Sequence, residues 1–295
     1  MKKIGFLGMG LMGLPMAINI VKKSGQSILG FDVMQEKKDT FKQNGGTPVD
    51  DPMDIYKTCD IIITCLPTHE IIIDMITKAV ENGKEGNIII DMSSTAPDIV
   101  KQLYEKAQEA NMHLLDSPIS GGEPGAKGGT LAIMTGGEKE IYDEVEPILN
   151  YMGFPVYTGA STTGSITKLA NNMIAGVYLV GMTEAYAFAA KAGIDPEVLF
   201  EATKKGFAGG PLYENKIPKI YNRDFTPGGR IAVHLKDIKN ALSFAKTKDI
   251  ELPATDLVYE VMHWMEENGE INTDQSGMIH YFEKKMNVIV EKHNK

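Results

Sequence analysis

Cysteine and arginine are scarce in this sequence. Its 295 residues hold two cysteines, Cys59 and Cys65, and two arginines, Arg223 and Arg230. The two cysteines lie six residues apart with no second Cys or His cluster at ligand spacing, so no metal site is expected and both read as reduced, buried side chains. The six histidines are scattered and none pairs at metal spacing, so all read as structural or solvated. A formal net charge of −9 argues against nucleic acid as a partner, because phosphate backbones are bound through clustered Lys and Arg. A small anionic substrate is not excluded, since a few local donors in a cleft suffice for it. Charged residues at 23% and hydrophobic residues at 43% are ordinary values and favour neither disorder nor a membrane class. The most apolar stretch, Met173 to Ala190, contains Gly176, Gly181 and Glu184 and reads as a buried helix, not a membrane span. At the start, glycines interrupt the apolar run and no small-residue cleavage site follows, so a cytoplasmic location is the expectation.

What is present is an alternation of two periodicities. Lys3–Leu7, Ser27–Phe31, Ile61–Cys65, Ile88–Asp91, His113–Asp116 and Leu131–Thr135 read as strands. Leu11–Lys23, Gln35–Gln43, Thr68–Ala79 and Pro97–Ala110 between them carry helical spacing of apolar residues. This order predicts an α/β fold, a Rossmann-type doubly wound parallel sheet whose ligands lie at the carboxyl ends of its strands. After Gly164 the β-type runs stop and everything to Lys295 reads as helix, with Asp195-Pro196 as a cap and Lys236–Thr247, Thr255–Glu267 and Asp274–Glu291 as periodic segments. Two domains are expected: residues 1–163, and an all-α domain over 164–295 that begins with a long interdomain helix packed on several sides.

The first predicted strand runs into Gly8-x-Gly10-x-x-Gly13 and then a helix, the context in which this fingerprint binds a dinucleotide. Gly8, Met9, Gly10, Leu11, Met12 and Gly13 form the candidate pyrophosphate turn, with helix N-terminal amides aimed at the anion. Asp32, nineteen residues beyond Gly13, ends the second predicted strand, where a carboxylate meets the adenosine ribose hydroxyls. NAD is therefore favoured as cofactor. NADP stays open because Lys37 and Lys38 are within reach of a 2′-phosphate. Leu66-Pro67 and Ser93-Ser94 end later strands, beside the nicotinamide half or as ordinary turns.

Two further segments carry candidate chemistry. Ser120-Gly121-Gly122 offers a hydroxyl and exposed backbone amides, a means of holding a carboxylate without net positive charge. Lys168 and Asn172 are four apart near the start of the apolar helix and share one face. Most lysines are solvated surface groups. Lys168 differs in standing at the end of a buried helix, where partial desolvation lowers a lysine pKa toward the working pH. Arg230, in Pro227-Gly-Gly-Arg-Ile, reads either as a contact for a second substrate carboxylate or as a helix cap.

With these segments in one order, the chain closely resembles the β-hydroxyacid dehydrogenase family, of the 3-hydroxyisobutyrate dehydrogenase and tartronate semialdehyde (2-hydroxy-3-oxopropionate) reductase type. GFLGMGLMGLPMA, CLP at 65–67, DMSSTAP at 91–97, DSPISGGEPGAKGGTLAIMTGG at 116–137, TGSITKLANN at 163–172 and HLKDIKNAL at 234–242 carry the resemblance over nearly the whole chain. It implies Lys168 as the catalytic acid/base with Asn172 beside it, and Ser120, Gly121 and Gly122 on the substrate carboxylate. Leu66, Pro67 and Ser94 would touch the cofactor, and Lys236 would close over it from the helical domain, with Asp237 nearby. The implied reaction is hydride transfer between the nicotinamide and the carbinol carbon of a short 3-hydroxy acid. A homodimer or homotetramer is implied on the same ground. Thr162 departs from the family, which usually has glycine there. Imine reductases share the architecture but usually replace the lysine. A non-catalytic NAD-binding protein would need no ionisable group at that helix end.

Overall fold

Strands that are apolar on both faces demand cover on both faces, and the segments Ile61–Thr64 and Ile88–Asp91, each with three consecutive isoleucines, are of this kind. The computed structural model describes residues 2–293; Met1, Asn294 and Lys295 lie outside the described residues, the last two within the stretch expected to be helical. The chain divides into two units, Met1–Lys168 and Leu169–Lys295.

The first unit runs β1 (Ile4–Leu7), α1 (Gly13–Ser24), β2 (Leu29–Phe31), α2 (Gln35–Gln43), β3 (Thr47–Pro48), α3 (Met53–Thr58), β4 (Ile61–Thr64), α4 (His69–Asn82), β5 (Ile88–Asp91), α5 (Pro97–Glu109) and β6 (His113–Asp116). It continues through β7 (Ile119–Ser120), α6 (Gly122–Gly128), β8 (Leu131–Gly136), α7 (Lys139–Leu149) and β9 (Gly153–Gly159) to the start of α8 (Thr163–Lys191). The strands form one sheet in the order β3-β2-β1-β4-β5-β6-β8-β7, with β9 also on β8. Pairing is parallel from β3 to β6, as expected of a doubly wound fold. β8 is antiparallel to β6 and β7. Alternation sorts the side chains into two layers: Phe6, Ile63 and Ile90 pack with Met16 and Ile20 of α1, while Leu7, Ile62 and Ile89 pack with Ile72 and Ile76 of α4 and Val100 of α5. The last residues of three adjacent strands, Thr64, Asp91 and Asp116, lie in one register row, and all three are buried.

The second unit is helical: the rest of α8, then α9 (Pro196–Thr203), α10 (Pro211–Tyr221), α11 (Ile231–Lys246), α12 (Pro253–Glu267), a 3₁₀ turn (Gln275–Met278) and α13 (Ile279–Met286). Asp195 caps α9 through the amides of Glu197 and Val198. The helix expected over Asp274–Glu291 is shorter and broken: the 3₁₀ turn begins it, and Asn287 ends it in the left-handed region at φ 48°. α8 is long and apolar enough to cross a membrane by length and composition alone, and 44% of its most apolar window is buried inside the protein. Leu179, Met182, Tyr186 and Ala187 are buried in the second unit's core, whereas Ile174 is 72% and Phe188 66% exposed. The helix thus buries one face in the second unit's core.

Candidate functional site

The turn after β1 is held by backbone geometry. Gly8 has φ 90°, and a Cβ there would lie 2.4 Å from the Cys65 carbonyl oxygen. A Cβ on Gly13 would lie 1.9 Å from the Gly8 oxygen. Both glycines are required by the fold itself. Gly10 differs, since a Cβ there would meet no atom within 4 Å and the residue is exposed. Its missing side chain leaves room for something other than protein. Behind that space α1 begins at Gly13 with no side-chain cap and no acidic residue in its first turn, so the helix dipole there favours an anion. Among the neighbouring residues of this turn, Met9 is buried and Leu11 is exposed, with Met12 half-buried.

Asp32 follows β2 and is half-buried. Its two carboxylate oxygens accept the amides of Met9 at 2.7 Å and Met34 at 2.8 Å, which fixes the carboxylate against the glycine turn. The nearby lysines are engaged with other carboxylates: Lys38 pairs with Asp50 at 2.6 Å, and Lys37 lies 3.6 Å from Glu36. A dinucleotide fits these residues: an open glycine, an uncapped helix start and a fixed acidic group in the order pyrophosphate, then ribose, requires.

Along the carboxyl edge, Leu66 and Pro67 follow β4. The Leu66 amide donates to Ser93 Oγ at 2.9 Å, and a Cβ on Gly8 would lie 2.9 Å from Leu66 Cδ2, so Leu66 backs the glycine turn. Ser94 is half-buried beyond β5. Asp91 organises that turn by accepting the Thr64 hydroxyl at 2.8 Å, the Thr95 hydroxyl at 2.6 Å and the Ser93 amide at 3.0 Å. Cys65 lies next to it, and burial pushes its thiol up to about 12, with the Asp91 charge adding to the effect; both cysteines are free thiols.

Ser120 ends β7, and Gly121 and Gly122 follow with φ 136° and 62° and open α6. The segment is therefore a strand end turning into a helix. Asp116, at the end of β6, accepts the amides of Thr162 at 3.0 Å and Ser165 at 2.7 Å at the start of α8, so the turn of α8 that leads to Lys168 begins at the carboxyl end of β6. Burial pushes the Asp116 carboxyl up to about 6, against the opposing pull of the Ser165 and Thr162 amides. Lys168 is half-buried.

Asn172 and Lys236 belong to the second unit. Asn172 Nδ2 donates to Asp237 Oδ2 at 2.6 Å, and Lys236 Nζ lies 3.8 Å from Asp237 Oδ1, so one buried carboxylate serves both. His234 Nε2 donates to the Asn172 carbonyl at 2.8 Å, and Gln275 donates to His234 Nδ1 at 2.9 Å, which makes His234 a structural member of this network. Arg230 occupies the N-cap position of α11 without a side-chain cap bond. His234 is thus structural, as the scattered histidines were expected to be, whereas Asp91 and Asp116 lie within the motifs with no role read from the sequence. Their signal was the recurrence of Asp as the last residue of a strand.

Residues 3–182 match the family described as the NAD binding domain of 6-phosphogluconate dehydrogenase, and residues 162–282 match the NAD-binding family of NADP-dependent 3-hydroxyisobutyrate dehydrogenase. The chain is 33% identical over 287 residues to the 2-hydroxy-3-oxopropionate reductase of Escherichia coli, covering 95% of this chain and 97% of that one. It is 31% identical over 298 residues to the 2-(hydroxymethyl)glutarate dehydrogenase of Eubacterium barkeri, covering 98% and 97%. A solved structure of the 3-hydroxyisobutyrate dehydrogenase of Mycobacterium tuberculosis with L-serine superposes with a TM-score of 0.86 at 27% identity, covering 95% of this chain and 99% of that one. With its glycine turn, its doubly wound sheet and matches that span nearly the whole chain, the protein belongs to the β-hydroxyacid dehydrogenase family and is an NAD(P)-dependent oxidoreductase.

Proposed function

We propose that this enzyme transfers a hydride between NAD(H) and the carbinol carbon of a short 3-hydroxy acid, or of the matching semialdehyde acid, with Lys168 as general acid and base. The observation that carries the reading is the hydrogen bonding of Asp116 to the start of α8, because it sets the lysine-bearing turn at a strand's carboxyl end, the edge on which this fold binds its ligands.

Gly8 through Gly13 would hold the pyrophosphate and Asp32 the adenosine ribose, with Leu66, Pro67 and Ser94 along the strand ends and Lys236 as a further cofactor contact. The bound nicotinamide supplies the hydride chemistry. The Ser120 hydroxyl and the amides of Gly121 and Gly122 hold the substrate carboxylate, which orients the reacting carbon. In reduction the Lys168 ammonium gives its proton to the developing alkoxide; in oxidation the neutral amine takes the hydroxyl proton. Asn172 orients the lysine or the substrate hydroxyl, itself fixed by Asp237. The named relatives act on a 2-hydroxy-3-oxopropionate and a 2-(hydroxymethyl)glutarate, both within the proposed substrate class.

NAD is the proposed cofactor over NADP, because a 2′-phosphate would face the Asp32 carboxylate while Lys37 and Lys38 are occupied by Glu36 and Asp50. The test is steady-state reduction of a panel of three- to six-carbon semialdehyde acids with each cofactor. The expected kcat/KM is at least about 10-fold higher with NADH than with NADPH, from like-charge repulsion. Turnover with no member of the panel, at any cofactor concentration, would defeat the assignment of substrate class.

A further inference from the structure

Asp116 takes no direct part in the reaction proposed above, yet several features of the first unit converge on it. Its side chain is buried, 1% exposed, and each carboxylate oxygen accepts one amide from the start of α8. The first amides of a helix lack intrahelical partners and are ordinarily satisfied by the side chain at the cap position. Here Thr162, immediately before α8, has φ 79°, and a carboxylate 46 residues away in sequence accepts its amide. Two glycines make this approach possible. A Cβ on Gly164 would lie 2.2 Å from the Asp116 carbonyl oxygen and 2.9 Å from Oδ2, and a Cβ on Gly136 would lie 2.7 Å from Oδ1. The end of β8 and the first turn of α8 thus close on one carboxylate from two sides.

A surface Ser or Asp at position 162 would cap the helix with less strain and no buried carboxylate, so capping alone does not account for the arrangement. Its distinguishing result is connectivity. Asp116 ends the strand that continues through Ser117 and Pro118 to Ser120, and Ser165 lies one helical turn before Lys168.

We infer that Asp116 is a positioning residue for the reaction: its carboxylate fixes the first turn of α8, and with it Lys168, against the β6–β7 segment that carries Ser120. The inference rests on the roles proposed for Lys168 and Ser120. Asp116→Asn is nearly isosteric but replaces one acceptor oxygen with an NH₂ group, so one of the two amides loses its partner.

The expected result is a kcat about 10²-fold lower, the order of effect that a roughly 1 Å misplacement of a catalytic group produces. NADH affinity should stay within about two-fold, since the glycine turn is a separate site. The midpoint of the kcat–pH profile should shift, because the proton donor's surroundings change. Wild-type kcat and pH profile in Asp116→Asn would overturn the inference, as would parallel loss of kcat and NADH affinity, which marks general damage. If Asp116→Asn does not fold, amide hydrogen exchange in the wild-type enzyme decides: the Thr162 and Ser165 amides should exchange at least about 100-fold more slowly than unprotected amides, and exchange at the unprotected rate overturns it. Lys168→Ala, measured in parallel, separates the two levels. Loss of turnover there with a wild-type-like Asp116→Asn defeats only the positioning role; retained turnover there defeats the lysine reading itself.

Discussion

Asp32 and Asp116 stand at strand ends in the same sheet, and each accepts two backbone amides through its two oxygens, yet they leave the adjacent helices in opposite states. The amides on Asp32 come from Met9 and Met34, neither of them in the first turn of α1, so that helix start stays uncapped behind an open Gly10. The amides on Asp116 come from Thr162 and Ser165, at the start of α8 itself. One helix start has no side-chain cap, and the other is closed by the protein's own carboxylate. The glycines around the two sites differ in the same way. Removing a Cβ makes room for solvent or ligand at Gly10, and for a neighbouring strand and helix at Gly136 and Gly164. A glycine-rich sequence is therefore no guide to a ligand site until what fills the vacant Cβ position is known.

The sharpest way to break this comparison lies within the fingerprint. Gly13→Ala forces a methyl to 1.9 Å from the Gly8 oxygen, and about 3 kcal/mol of stability should be lost together with NADH binding. Gly10→Ala has no such clash. Its stability should stay within about 0.5 kcal/mol of wild type, while NADH affinity falls at least about 10-fold, a loss of roughly 1.4 kcal/mol from blocked approach. Urea unfolding and fluorescence titration of NADH read both quantities; equal effects of the two substitutions would remove the distinction between fold-required and ligand-required glycine.

A second test uses pH. The folded pKa of Asp116, about 6, lies above the unfolded value of 3.8, so the folded state binds the extra proton between those values. Its stabilising contribution is complete below pH 3.8 and is lost as pH rises through about 6. The total is about 3 kcal/mol by linkage. Unfolding free energies of the wild type, taken relative to Asp116→Asn, should fall across that window; a rise would mean that the amide bonds outweigh burial and keep the carboxylate ionised. The smallest effect is expected at Thr162, which holds a left-handed conformation at φ 79°. Thr162→Gly relieves roughly 1 kcal/mol of strain and returns part of it as unfolded-chain entropy, so a melting temperature equal to or slightly above wild type is expected by calorimetry.

The parts of this fold that could be read from the sequence are those set by local pattern. β4 and β5 announce themselves as apolar runs, α1 by its spacing after the glycine turn, and α9 by Asp195-Pro196. Other elements carry no such signal. β7 and α6 lie inside a glycine-rich stretch that reads as loop, and α7 and α10 each contain an interior proline, Pro147 and Pro218. The candidate site divides similarly. Gly8, Gly10, Gly13 and Asp32 are legible because spacing along one βαβ unit carries the chemistry. The functions of Asp91 and Asp116 are not legible, because their partners are brought in by the sheet: Thr64 lies 27 residues from Asp91, and Ser165 lies 49 from Asp116.

The central claim is that Lys168 moves the proton while the opening glycines only hold the cofactor. Single-turnover oxidation of enzyme-bound NADH by a short semialdehyde acid, in the wild type and in Lys168→Ala, tests it most directly. The rate should fall by about 10²–10⁴-fold, the range for loss of a general acid, with NADH affinity unchanged. A Lys168→Ala enzyme that oxidises NADH at the wild-type rate would contradict the account.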